Sequence, residues 1–210
     1  RPACPAVLEG PAAQALRPDA SQAQPLRDGA QRYTAGERNR MDHARISVVG
    51  TSGSGKSTAA ALLARRLGVP HIELDALRHG PGWRETPDEE FRRLVAIEVA
   101  RDGWVIDGNY GVIRDLVWPR ATTIVWLDPP LWVVMAQVTW RSFWRLVTRQ
   151  ELWNGNRERL DWHRPEHPIR WAYATHHPRR AKFAAALDER WVRLRSRAEL
   201  RAFLRTLPGG

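Results

Sequence analysis

The nine residues Gly50-Thr51-Ser52-Gly53-Ser54-Gly55-Lys56-Ser57-Thr58 constrain this chain more than any other stretch. They satisfy G-x-x-x-x-G-K-[ST], a pattern whose chemistry dictates its residue types. Glycines let bare backbone N–H groups converge on an anion, and a helix that opens directly afterwards aims its unpaired donors at the same place. Lys56 is then placed to reach the β- and γ-phosphates of ATP, Ser57 to ligate Mg²⁺, and the Thr58 N–H to support the α-phosphate. The flanks agree, with the apolar strand RISVV before the loop and the helical run AAALLARRL after it. The loop therefore marks a nucleotide site built from Gly50, Gly53, Ser54, Gly55, Lys56, Ser57 and Thr58, with Ser57 also a metal ligand.

Beyond the loop, short apolar strands alternate with helices. Strands are predicted over 71–74, 104–107, 122–127 and 191–195. Helices are predicted from Pro87 to about Arg101 (Thr86 as N-cap, Glu89 closing a capping box), from Pro130 to about Arg149, on either side of Pro178, and after Ser196. Five buried strands separated by helices argue for an α/β fold, a parallel sheet covered on both faces. Residues 1–40, rich in Ala, Pro, Gln, Arg and Gly, show no sustained apolar period. They are expected to be a disordered or non-native extension, with the folded domain over 41–210 and Met41 as the natural start.

Three acids fall at predicted strand ends, where open α/β sheets bind ligands. Asp107 suits a Walker B acid holding Mg²⁺, or a plain Asp-Gly turn. Asp75 suits the base for an acceptor hydroxyl, or a cap for the next loop. Asp128, ahead of two prolines, suits a capping role. Arg141, Arg145 and Arg149 form one row on the long helix, either cations for the transferring phosphoryl group or a solvated face. Trp140, Phe143, Trp144 and Val147 occupy the rest of that helix and are expected to pack inward. Arg157 is a further lid candidate, and Arg78, Arg84, Arg114 and Trp83 are candidates to meet the acceptor.

The formal charge of +10 comes almost wholly from arginine, since Lys56 and Lys182 are the only lysines. It suits phosphate-bearing ligands or nonspecific nucleic-acid contact. Cys4 is the only cysteine, which excludes a disulfide framework or a cysteine-based zinc site. No run approaches the roughly 20 apolar residues that span a bilayer, and the start lacks a signal-peptide pattern. A cytoplasmic protein without membrane contact is the expectation.

GTSGSGKST, IELDAL, VIDGNY and WLDPP, with an arginine-bearing flap, resemble the adenylate-kinase-like P-loop proteins. ELDALRHGPGW, PDEEF, DGNYGVIRDLVWPRA and ELWNGNRE resemble the bacterial topology modulation protein group, a likeness that spans residues 45–205. It implies a P-loop NTPase three-layer sandwich with strand order 2-3-1-4-5 and a helical lid over about 141–165. One departure stands out: adenylate kinases carry DGFPR after the third strand, where this chain has Asp107-Gly108-Asn109-Tyr110-Gly111. The function implied is a Mg·ATP-dependent kinase for a nucleotide, nucleoside or other small hydroxylated acceptor. Lys56, Asp75, Arg141 and Arg145 are its catalytic candidates, and Ser57 and Asp107 its Mg²⁺ partners. The alternatives are a kinase of a non-nucleotide metabolite, of shikimate- or gluconate-kinase type, and an ATP-dependent regulator that binds nucleic acid. A nucleotide-binding module with residual hydrolysis is a third.

Overall fold

Strands buried on both faces need helices on both sides, and the central strands here meet that condition along nearly their whole length. The structure, a computed structural model, describes residues 44–156 and 167–207. Its strands are β1 (Arg45–Gly50), β2 (His71–Glu73), β3 (Trp104–Asp107), β4 (Thr123–Leu127) and β5 (Trp191–Leu194). The helices are α1 (Lys56–Leu67), α2 (Leu74–Arg78), α3 (Asp88–Val99), α4 (Arg114–Val117), α5 (Leu131–Thr148), α6 (Pro168–Ala184) and α7 (Arg197–Thr206). All strand pairs are parallel, in the order β2-β3-β1-β4-β5. This is the α/β order that the resemblance implies.

Period-two alternation sorts the side chains into two cores. Along β4, Ile124 and Trp126 face one side with Phe91 and Val95 of α3, Val117 of α4 and Phe183 of α6. Val125 and Leu127 face the other with Ala60 and Leu63 of α1, and Phe203 and Leu204 of α7 pack beside them. Helix α5 lies outside these layers and packs on α6 through Val134, Val138 and Ala172.

Several local expectations change. The chain leaves β2 after Glu73 and turns at once into α2, so Asp75 sits in a short helix rather than at a strand end. Thr86 does not cap α3, because its hydroxyl donates to the Leu77 carbonyl (2.9 Å) and its N–H to that of Arg78 (2.8 Å). Pro87 takes the cap position instead. Helix α6 runs straight through Pro178, held by buried Ala172, His176 and Phe183 on both sides of it. The capping box at Ser196 is present, with Glu199 N–H donating to Ser196 Oγ at 3.1 Å. The expected 1–40 extension, Arg157 and the lid beyond Asn156 lie outside the described residues. Among the described residues, no helix is long and apolar enough to cross a membrane.

Candidate active site

The parallel sheet brings the ends of β1, β2 and β3 to one side, where the phosphate loop and Asp107 come together. Gly55 caps α1 without any side-chain bond to its first turn, which leaves those N–H groups open. Gly53 has φ +84°, and a Cβ there would come within 2.9 Å of the Val138 Cβ and 3.0 Å of the Val134 carbonyl. Helix α5 is thus the wall behind the phosphate loop. Ser54 Oγ is buried with no hydrogen-bond partner among the described residues, a free donor inside the loop. These features suit a polyphosphate.

The predicted metal pair is in contact. Ser57 Oγ donates to Asp107 Oδ2 at 2.6 Å, and His71 Nε2 meets Asp107 Oδ1 at 3.1 Å. Asp107 is buried, and a hydroxyl beside one carboxylate suits Mg²⁺, which takes few protein ligands when phosphates supply the rest. Burial by itself would lower the His71 pKa, but the hydrogen bond and charge of Asp107 outweigh it and leave His71 raised.

Lys56 is partly buried, its Nζ donating to the Thr51 carbonyl at 3.1 Å. Its pKa is lowered to about 8, chiefly by burial, with Arg179 and Arg141 adding to the effect. Asp75 and Asp107 pull the other way, so both carboxylates act on this ammonium group.

Asp75 accepts a hydrogen bond from the Tyr110 hydroxyl at 2.7 Å, and His79 Nε2 lies 3.4 Å from the same hydroxyl. Burial first, then the charge and hydrogen bond of Asp75, raise the Tyr110 pKa, so this phenol stays protonated as a donor. Arg141 reaches from α5 to Ser52 Oγ at 3.5 Å. Arg145 lies one turn further along, half-buried, and Arg149 forms the left-handed C-cap of the helix.

Other candidates take different places. Arg78 is occupied by Glu85 (2.9 Å), Asp88 (2.6 Å) and the Thr86 carbonyl (2.8 Å), which makes it a brace between α2 and α3 rather than an acceptor contact. Arg84 is exposed. Arg114 lies over Trp118 at 4.5 Å and lines a crevice with Tyr110 and Asn109. Asp128 does not cap α5; it is buried, 2.9 Å from Arg193 Nε and 3.2 Å from Arg180 Nε, because β5 and α6 place those cations over the end of β4. Trp140, Phe143, Trp144 and Val147 do not pack inward but stand exposed, since α5 fills its inner face with Val134, Val138 and Ser142.

Some contributors were not singled out from the sequence. Asn109 and Tyr110 adjoin Asp107 in a segment already of interest, so proximity to that strand end was a usable signal. Arg179, on α6, is partly buried beside Asp75 and Tyr110, its pKa lowered chiefly by burial. No local signal separates it from the chain's other arginines. Trp153, Asn154 and Asn156 form a strap over residues 73–83. Trp153 Nε1 donates to Glu73 Oε2 at 2.8 Å, and Asn154 Nδ2 to the His79 carbonyl at 2.6 Å. Asn156 binds the Gly80 carbonyl at 2.9 Å and the Trp83 N–H at 2.8 Å.

No family model matches the chain. A shikimate kinase of Symbiobacterium thermophilum is 35% identical over 99 residues, which make up 40% of this chain and 56% of that protein. The chain thus spans about half the length of the curated relative it matches. Among solved structures, the shikimate kinase of Acinetobacter baumannii in complex with shikimate superposes with a TM-score of 0.53 at 17% identity, covering 80% of this chain and 93% of that one. The shikimate kinase of Bacteroides thetaiotaomicron gives 0.50 at 17% identity, covering 78% and 96%. At these identities the likeness is one of architecture, and the fold of this chain is the P-loop kinase fold seen in shikimate kinases.

Proposed function

We propose that this chain is a Mg·ATP-dependent phosphotransferase whose acceptor is a small, hydroxylated and anionic metabolite. The observation that carries the reading is the Ser57–Asp107 contact at the foot of the phosphate loop, with the partly buried Lys56 ammonium held at the Thr51 carbonyl beside it. Asp107 is bonded to Ser57 at 2.6 Å and serves the donor side. Asp75, bonded to Tyr110 at 2.7 Å, serves the acceptor side as the group that receives the hydroxyl proton. Mg²⁺, when bound, would neutralise charge on the phosphates. Ser57 and Asp107 would hold that ion, while Lys56 and the N–H groups that open α1 would hold the phosphates. Arg141, with Arg145 behind it, balances charge from the α5 side.

An anionic acceptor is favoured by Arg179 beside Asp75 and by Arg114 lining the neighbouring crevice. A nucleoside monophosphate acceptor is disfavoured, because the arginine of the DGFPR pattern is absent and Asn109, nearby, is committed to Gly50. The similarity to a shikimate kinase supports the same class. We further read residues 41–210 as one kinase-like domain, 141–165 as its lid, and the chain as a cytoplasmic relative of the topology modulation group. Nucleic acid is not among the partners we propose.

The test is ADP release across a panel of shikimate, gluconate, nucleosides and nucleoside monophosphates. A hydroxy acid is expected to raise turnover well above basal hydrolysis, and Lys56→Ala to abolish that gain with the fold intact. No response to any acceptor, or full turnover by Lys56→Ala, would sink the proposal.

A further inference from the structure

Helix α5 carries a row of large apolar side chains that no described residue covers. Trp132, Trp140, Phe143, Trp144 and Val147 keep between 53% and 74% of their surface exposed. With Ala136, also exposed, they recur at helical intervals and form one stripe about 22 Å long. The Trp140 ring lies 6.2 Å from Trp144, stacked on it, and 6.1 Å from Phe143, tilted against it, so the centre of the stripe is a cluster of three rings. Single exposed apolar residues are ordinary; a continuous patch on the order of 600 Å² is an interaction surface. Nor can the stripe turn inward. The opposite face of α5 is taken by Val134 and Val138 against Gly53 and α6, and by Arg141 at Ser52.

We propose that the stripe is where a second copy of this chain docks, with the two α5 helices antiparallel across a two-fold axis at Trp140. The inference is independent of the phosphotransferase reading. Trp140 stands at the midpoint between Trp132 and Val147, so an antiparallel pair sets the stripe against itself. Phe143 and Trp144 of one copy then lie over Ala136 of the other, and Trp132 over Val147. Large meets small at both ends, which is the self-complementarity an isologous interface requires. Two such stripes bury roughly 1,200 Å² in total, the lower bound for a stable protein interface. The stripe itself bears no charge: within α5 only Arg141 and Arg145 are charged, and Arg141 is turned to the phosphate loop. An apolar face suits another apolar face better than a polyanion.

The experiment is sedimentation of the full chain over a wide concentration series at low and high salt. A dimer is expected, and salt should preserve or tighten it, because each copy carries +10 and the contact is apolar. Trp140→Glu should weaken association roughly tenfold or more. Ala136→Trp separates specific docking from general stickiness: it adds apolar surface yet collides with Phe143 and Trp144 of the other copy, so it should also weaken the dimer. Circular dichroism confirms folding of both variants. The proposal is overturned by a monomer at every concentration, by an undiminished dimer in Trp140→Glu, or by tighter association in Ala136→Trp. Trp140-dependent binding to phosphatidylserine vesicles or single-stranded DNA, lost at high salt, would overturn it equally.

Discussion

The side-chain amide of Asn109 closes on the main-chain N–H and C=O of Gly50. Its Oδ1 accepts from the Gly50 N–H at 3.2 Å, and its Nδ2 donates to the Gly50 carbonyl. This pair ties the loop after β3 to the residue where β1 becomes the phosphate loop. Asn109→Ala should cost about 1–3 kcal/mol, since it removes two bonds to partly buried main-chain groups. Thermal unfolding should show the loss, and calorimetry should show ATP binding several-fold weaker. Unchanged ATP affinity would mean that the phosphate loop holds its shape without Asn109.

Lys56 gives the phosphate site a pH dependence. Its pKa in the free protein is lowered to about 8, and bound phosphate favours the protonated form. ATP affinity should therefore be flat below pH 8 and fall as pH rises above it. The free protein should behave in the opposite sense. Its folded state binds fewer protons than the unfolded chain between pH 8 and the ordinary lysine value of 10.5, so Lys56 makes stability rise with pH across that window. Titration of ATP binding and denaturant melts at matched pH values check both signs, with Lys56→Met as the control that removes them.

Asp107→Asn keeps the shape of the side chain and removes the charge beside Ser57. Phosphoryl transfer should drop about 100-fold or more, while ATP measured without Mg²⁺ should bind within a few-fold of the parent. Equal losses with and without the metal would place Asp107 in structural support rather than at the ion.

Tyr110→Phe deletes the donor to Asp75 with little change in volume. The expected cost is about 1 kcal/mol in stability. The kcat with the accepted hydroxy acid should fall roughly tenfold, with the KM for ATP unchanged. Steady-state kinetics with each substrate varied in turn distinguishes this from a general loss of fold.

Gly53→Ala tests the wall behind the loop. The added methyl needs φ +84° and meets the Val138 Cβ at 2.9 Å. Either α5 or the loop must move, so stability should fall by about 1–3 kcal/mol and ATP binding with it. A thermal melt together with nucleotide titration reads both.

The phosphate loop, the strands and the place of Asp107 at the end of β3 were legible because each belongs to a local pattern that physics ties to one conformation. Other features needed the third dimension. Nothing near Leu74 announces that β2 ends one residue earlier; the chain turns there with Leu74 packed against Gly108, where an added Cβ would sit 2.8 Å from that of Leu74. Proline ends most helices, yet α6 continues past Pro178 because buried residues on both sides hold it. On α5 the periodicity identified an apolar stripe but misjudged its direction. A one-dimensional pattern shows that a face is apolar, not that a smaller face of valines and serine has already taken the core. Arg179 was invisible for a plainer reason: among so many arginines, only topology selects the one beside Asp75.

The strap of Trp153, Asn154 and Asn156 bears on how such a molecule can diversify. Apart from Trp153 on Glu73, its bonds to the segment beneath end on main-chain groups of Ala76, His79, Gly80 and Trp83. Every residue type offers a carbonyl, and all but proline an N–H. Side chains such as Ala76 and Pro81 can therefore be exchanged while the strap stays anchored, whereas Leu77 packs on the core, Arg78 braces α3 and His79 meets Tyr110. The surface beneath the strap can thus change its chemistry one substitution at a time without losing its cover.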